Sequence, residues 1–263
     1  MGSLTGKVAI VTGAGTGIGY HASKLIAAEE ASVVLVGRRQ GPLDAVVAEI
    51  KESGGEAKAY SADLEDGDAA ASVVDFTLES YGRVDILVNN AGHASKVRSI
   101  RWVQPDEWES VFKINIDAVF RLTQACLPNM LERGDGTVIT TSSMAALTPG
   151  IVGGAPYSAA KAASFNLMRG LSSELRSKGI RATTIIPGEV DTPILEGRPA
   201  PPPAEARATM MMPEDVADAI LLCATMPHRT LIEQVVMTPT YPRNMEAEMK
   251  VARMMGAPDG ATE

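Results

Sequence analysis

Apolar positions fall into two alternating kinds of run along the chain. "KVAIVTG", "SVVLVG", "EAKAYSA", "VDILVNN", "GTVITTSS", "IRATTIIPG" and "LIEQVVM" are short and rich in β-branched residues, and they read as strands. Between them lie longer stretches with apolar residues three and four apart: residues 17–30, "LDAVVAEIKES", "AAASVVDFTLES", residues 105–132, residues 156–178 and "PEDVADAILLCATM". These read as helices, the fourth as one continuous helical region. Seven strands interleaved with six helical segments predict an α/β fold, a doubly wound parallel sheet with helices on both faces in three layers. The strands agree, because a strand covered on both sides needs apolar residues at nearly every position rather than at every second one.

The alternation runs without a linker, so residues 1–263 read as one domain. Its main interruption is the proline-rich "GRPAPPPAEARATMMMP", part of a loop or lid over 189–213 before the last sheet-covering helix. From Arg243 onward the pattern predicts a short helix and a frayed tail.

Composition narrows the partners. A net charge of -8 argues against general affinity for nucleic acid or an anionic membrane, leaving a small molecule as the expected partner. No apolar run reaches the ~18 residues of a membrane span. The first strand starts too near Met1 for a signal peptide, so a cytoplasmic protein is expected. "MGSLTG" has Gly6 where a myristoylation site needs Ser or Thr. Cys126 and Cys223 lie in apolar helical patterns with no metal-ligand or redox spacing, so core packing is their expected role and no metal is expected.

The candidate chemistry starts at "TGAGTGIG", where Gly13, Gly17 and Gly19 join the first strand to the first helix. Glycines there let the backbone turn tightly and approach a pyrophosphate, whose charge the helix N-terminus meets. At the end of the second strand, an acidic residue would accept hydrogen bonds from a free ribose 2′-hydroxyl; this chain has "VGRRQ" instead. The guanidinium forks of Arg38 and Arg39 suit a 2′-phosphate, so NADP(H) is favoured, while Gly37 leaves NAD(H) open. In "PYSAAKAAS", Lys161 stands one helical turn beyond Tyr157 and on the same face. A positive charge there would favour the phenolate of a group whose isolated pKa is about 10. Alone, the pair also fits an amphipathic helix surface.

With "NNAG" at 89–92, "SS" at Ser142 and Ser143 and "YSAAK" at 157–161, the chain resembles the short-chain dehydrogenase/reductase family, single-domain branch, from about Lys7 to Met237. The resemblance implies a Rossmann-type fold, a nicotinamide cofactor, and catalysis by Asn115, Ser143, Tyr157 and Lys161. It implies that Gly13, Thr16, Gly17, Ile18 and Gly19 cradle the cofactor, with Arg38 and Arg39 at its ribose. Asp63 and Leu64 would flank the adenine, and Asn90, Ala91 and Gly92 would line the cleft. Pro187, Gly188, Val190 and Thr192 would hold the nicotinamide end, with Tyr157 and Lys161 beside it. Asn115 would hold a water that returns the proton to Tyr157.

Two departures stand out. The interval from Ser143 to Tyr157 is one residue longer than commonest, within "LTPGIVGGAP", which keeps Ser142 as the alternative serine. The ending "HRTLIEQVVMTPTYPRN" replaces the family's usual closing turn, although a homodimer or homotetramer is still implied. The expected activity is that of an NADPH-dependent carbonyl reductase or secondary-alcohol dehydrogenase with a moderately apolar substrate. A noncatalytic dinucleotide sensor and a lyase or epimerase on the same fold are the rival readings. His93 is expected to be a solvent-satisfied loop residue, and Trp102, Trp108 and Met210 to Met212 to be either packing residues or an apolar substrate wall.

Overall fold

A computed structural model describes residues 2–262. The predicted strands are β1 (Val8–Thr12), β2 (Ser32–Gly37), β3 (Glu56–Ser61), β4 (Ile86–Asn89), β5 (Gly136–Thr141), β6 (Ile180–Pro187) and β7 (Gln234–Met237). They form one sheet in the order β3-β2-β1-β4-β5-β6-β7, with every pairing parallel. The fold is Rossmann-type. The chain winds outward from β1 to β3, then crosses back to lay β4 on the other side of β1. That reversal opens a crevice at the carboxyl ends of β1 and β4, the place where ligands bind in open α/β sheets.

The continuous apolar runs have a simple geometric cause. Ala9 and Val11 of β1 point into one core, under α1 (Gly17–Ala28), α2 (Gln40–Glu52) and α8 (Pro213–Thr225), while Ile10 points into the other. The second core lies under α3 (Ala69–Tyr81), α5 (Ala118–Arg133) and α6 (Ala155–Leu175). Each buried Ile, Leu or Val contributes about 1.5–3 kcal/mol, so both sequence parities are under the same demand. Cys126 and Cys223 are free thiols in opposite cores, used for packing as expected, and burial pushes their pKa values up to about 12 and about 11.

The region expected as one helix over 105–132 is divided. It consists of α4 (Pro105–Phe112), a π turn at Lys113–Asp117, and α5. After β6 the lid region holds a 3₁₀ turn at Pro193–Gly197 and the short α7 (Ala204–Arg207). It closes on itself through Asp191 N–H to Met211 O (2.9 Å) and Met211 N–H to Glu189 O (3.1 Å). The expected C-terminal helix is α9 (Glu246–Met254).

Candidate active site

The glycine loop after β1 needs glycine for two physical reasons. Gly13 and Gly17 have φ of +65° and +56°, left-handed values that a side chain would strain. Gly19 is ordinary in φ, but a Cβ on it would lie 2.3 Å from Gly13 O, so the helix could not approach the loop. Thr12 then ties β1 to β4: its Oγ1 accepts from Asn90 N–H (2.9 Å) and Ala91 N–H (3.0 Å) and donates to Val88 O (3.2 Å). Gly17 faces Thr192, so the segment after β6 borders the same cleft.

Beyond the glycine loop a smaller pocket is lined by Gly37, Arg38, Arg39, Asp63 and Leu64. Both arginines are exposed, and neither forms an ion pair among the described residues. Asp63 accepts from Glu65 N–H (3.1 Å), which fixes the turn over the pocket. A backbone cradle that excludes a Cβ, opening towards two uncommitted guanidinium groups, fits a dinucleotide with phosphate at both places.

Three of the expected catalytic side chains, Ser143, Tyr157 and Lys161, meet in a cavity of about 590 Å³ that starts at the same glycine loop, while Asn115 lies behind Gly92, outside its lining. Asn115 sits in the π turn and is fully buried. Its Nδ2 donates to His93 O (2.7 Å) and Val111 O (2.9 Å), whereas Oδ1 is buried with no hydrogen-bond partner. A Cβ on Gly92 would lie 2.5 Å from that Oδ1 and 3.4 Å from Lys161 Nζ, so only glycine permits this approach. Such local widening of a helix is frequent at functional sites, because it re-aims one side chain.

On α6, Lys161 is buried and its Nζ donates to Thr141 O (2.8 Å). Burial pushes its pKa down to about 8. Nζ lies 5.5 Å from the centroid of the Tyr157 ring. The Tyr157 phenol is raised above its usual value by burial, and Ser143, Arg98 and Arg198 act against that rise. The sequence assigned the downward pull to Lys161; the causes acting downward on the phenol here are the Ser143 hydrogen bond and then the charges of Arg98 and Arg198.

Ser142 and Ser143 both line this cavity, but their hydroxyls are used differently. Ser142 Oγ donates to Lys161 O (2.9 Å), fastening β5 to α6. Ser143 lines the cavity beside Tyr157, and its Oγ accepts from Ala145 N–H (3.1 Å). In the turn before Tyr157, Gly154 has a φ of +80° that lets the backbone pass against Arg98.

The remaining predicted positions Ile18, Asn90, Ala91, Pro187, Gly188 and Val190 also line this cavity. Of the two alternatives for Trp102, Trp108 and Met210 to Met212, the substrate wall does not hold. Met210 and Met211 are buried, Trp102 and Trp108 are outside the lining, and the wall is built from Met144, Ile151, Val152, Ile194, Met245 and Met249. His93 is held by protein rather than solvent, its Nε2 lying 3.2 Å from Glu65 Oε1 and 3.1 Å from Ser110 Oγ.

Sequence reading also missed an ion network at the cavity's outer end. Arg198 Nη1 lies 2.8 Å from Glu189 and 3.4 Å from Glu248; Arg243 contacts both carboxylates, at 2.7 Å for Glu189. These four side chains span 60 positions of sequence, and no local spacing announces them. No cluster able to hold a metal occurs among the described residues.

The short chain dehydrogenase family model matches residues 7–202. An uncharacterized oxidoreductase of Staphylococcus aureus is 33% identical over 238 residues, 90% of this chain and 98% of the relative. A metagenomic short-chain oxidoreductase solved with NADP superposes with a TM-score of 0.79 at 33% identity, covering 91% of this chain and 100% of that one. The 3-ketoacyl-(acyl-carrier-protein) reductase of Brucella melitensis, solved with NADH, gives 0.79 at 29% identity, covering 89% and 98%. With its glycine cradle, divided helix and Ser-Tyr-Lys cavity, the chain belongs to the short-chain dehydrogenase/reductase family.

Proposed function

We propose that this oxidoreductase is a cytoplasmic, homo-oligomeric NADPH-dependent carbonyl reductase or secondary-alcohol dehydrogenase. The observation that carries the reading is the convergence of Ser143, Tyr157 and Lys161 in a cavity continuous with the glycine loop. Gly13 to Gly19 would hold the pyrophosphate, and Arg38 and Arg39 the 2′-phosphate. Asp63 and Leu64 would flank the adenine, and Asn90 to Gly92 with Pro187, Gly188, Val190 and Thr192 the nicotinamide half.

A nicotinamide cofactor held by these residues would supply hydride chemistry at the carbonyl carbon. Ser143 donates a hydrogen bond to the carbonyl oxygen and fixes its position beside Tyr157. The phenol of Tyr157 gives its proton to that oxygen as the alcohol forms, and burial keeps the phenol protonated until then. Lys161 would bind the ribose hydroxyls. Asn115 offers its unpartnered Oδ1 to a water that passes a proton back towards Tyr157. The exposed Trp108 and Phe120 on α4 and α5, and Leu222 and Val236 on α8 and β7, provide apolar faces for a homodimer or homotetramer.

Following NADPH absorbance with a panel of ketones and aldehydes tests the reading. Sustained, substrate-dependent consumption is expected; a sensor gives binding without turnover, and a lyase or epimerase changes the substrate without net oxidation. For the cofactor, Arg38→Ala with Arg39→Ala is expected to raise KM for NADPH by roughly tenfold or more and leave NADH little changed, since each charge-assisted phosphate contact contributes about 1.5–3 kcal/mol. Equal changes for both cofactors would show that these arginines do not read the 2′-phosphate.

A further inference from the structure

Three lysine or arginine side chains line the large cavity: Lys161, Arg198 and Arg98. Lys161 is committed to Thr141 O and the proposed ribose contact, and Arg198 is matched by Glu189 and Glu248. Arg98 is different. It is 3% exposed, has no carboxylate in ion-pair contact among the described residues, and makes one hydrogen bond, from Nη1 to Gly153 O (2.9 Å). Its Nε is buried with no partner at all.

A buried cation with an unused donor is costly unless an anion joins it. The acid whose field reaches it, Glu107, is already engaged by the backbone N–H groups of Lys96 and Val97. Burial and the repulsion of Arg198 lower the Arg98 pKa to about 10, which still leaves the guanidinium charged at neutral pH. Arg98 lines the same cavity as Ser143 and Tyr157, and its charge acts against the rise of the phenol's pKa. Arg98 is held rigidly: Gly154 packs its backbone against the arginine stem, and Ala155 N–H donates to Arg98 O (3.0 Å).

We propose that Arg98 binds a carboxylate of the substrate, so that this enzyme reduces oxo acids and, in reverse, oxidises hydroxy acids. The carbonyl oxygen meets Ser143 and Tyr157, the carboxylate meets Arg98, and the carbon skeleton lies against Ile151, Val152 and Met249. This rests on the carbonyl-reductase reading and replaces a generally apolar substrate with one that is apolar in its body and acidic at one end.

The test measures NADPH-dependent reduction of α-, β- and γ-oxo acids and their methyl esters by the wild type and Arg98→Met. For at least one chain length the wild type is expected to favour the acid in kcat/KM by about ten- to a hundredfold, the worth of a charge-assisted contact, and Arg98→Met to abolish that preference. Equal losses for acid and ester in the variant would overturn the proposal, because an arginine that only holds the Gly153 loop affects both. So would a wild type that prefers esters. A second arm avoids the variant: saturated carboxylates are expected to compete with the carbonyl substrate in the wild type, and the matching amides not. Equal inhibition by amides would overturn carboxylate binding. No NADPH consumption anywhere on the panel would overturn the reductase reading beneath it, whereas reduction confined to esters would overturn the carboxylate alone.

Discussion

Tyr157→Phe lowers kcat for carbonyl reduction by about 10²- to 10⁴-fold, the range for removing a positioned general acid, while the dissociation constant of NADPH changes far less. The ring remains and only the hydroxyl goes. Tyr157 is held by α6, Ser143 and Arg98 act on its phenol, and Lys161 lies 5.5 Å from its ring, so the variant keeps the shape of the site. Stopped-flow reduction and cofactor fluorescence titration check the two halves separately. Retention of full turnover would show that the proton comes from another group and would remove the mechanism proposed for this cavity.

Asp85→Ala destabilises the fold by about 3–5 kcal/mol, through a mechanism unrelated to the chemistry. Asp85 is 3% exposed at the entry to β4. One carboxylate oxygen accepts from Val8 N–H (2.9 Å) and Arg83 Nε (2.7 Å), and the other from Arg83 Nη2 (2.5 Å). Lys7 and Arg133 lie 3.5 and 3.6 Å away; alanine leaves Arg83 and Arg133 without a carboxylate partner and Val8 N–H without its acceptor, while Lys7 keeps Asp135 at 2.6 Å. A melting temperature lower by roughly 10 °C is the expected result for a chain of this size. Because Asp85 stands at the opposite end of the sheet from the cleft, KM for NADPH is expected to stay unchanged where both proteins are folded. A shift of only a degree or two would show that solvent satisfies these groups well.

The sheet was legible because its determinants are local. β1, β2, β5 and β6 needed only a run of β-branched residues, and the loop over 13–19 carried its glycines where φ or contact distance demands them. The π turn was not legible. Asn115 lies among residues with helical spacing and no glycine or proline, and the shift in hydrogen bonding that turns it towards His93 O depends on α6 packing alongside. Arg98 was invisible for a related reason: an arginine in a loop reads as solvated until the fold brings Gly153 and Gly154 over it. The choice between Ser142 and Ser143 also needed three dimensions, because only the direction of each hydroxyl distinguishes them.

The tie between Glu189 and Arg198 in the lid segment and Arg243 and Glu248 around the start of α9 has a consequence for engineering. The segment over 189–213 and the stretch from Arg243 into α9 are joined charge to charge. Transplanting the segment over 189–213 from a relative, without the helix that answers it, would bring in unmatched charges against Arg243 and Glu248. A shuffled library that cuts between these distant segments would separate charges that answer each other in the fold.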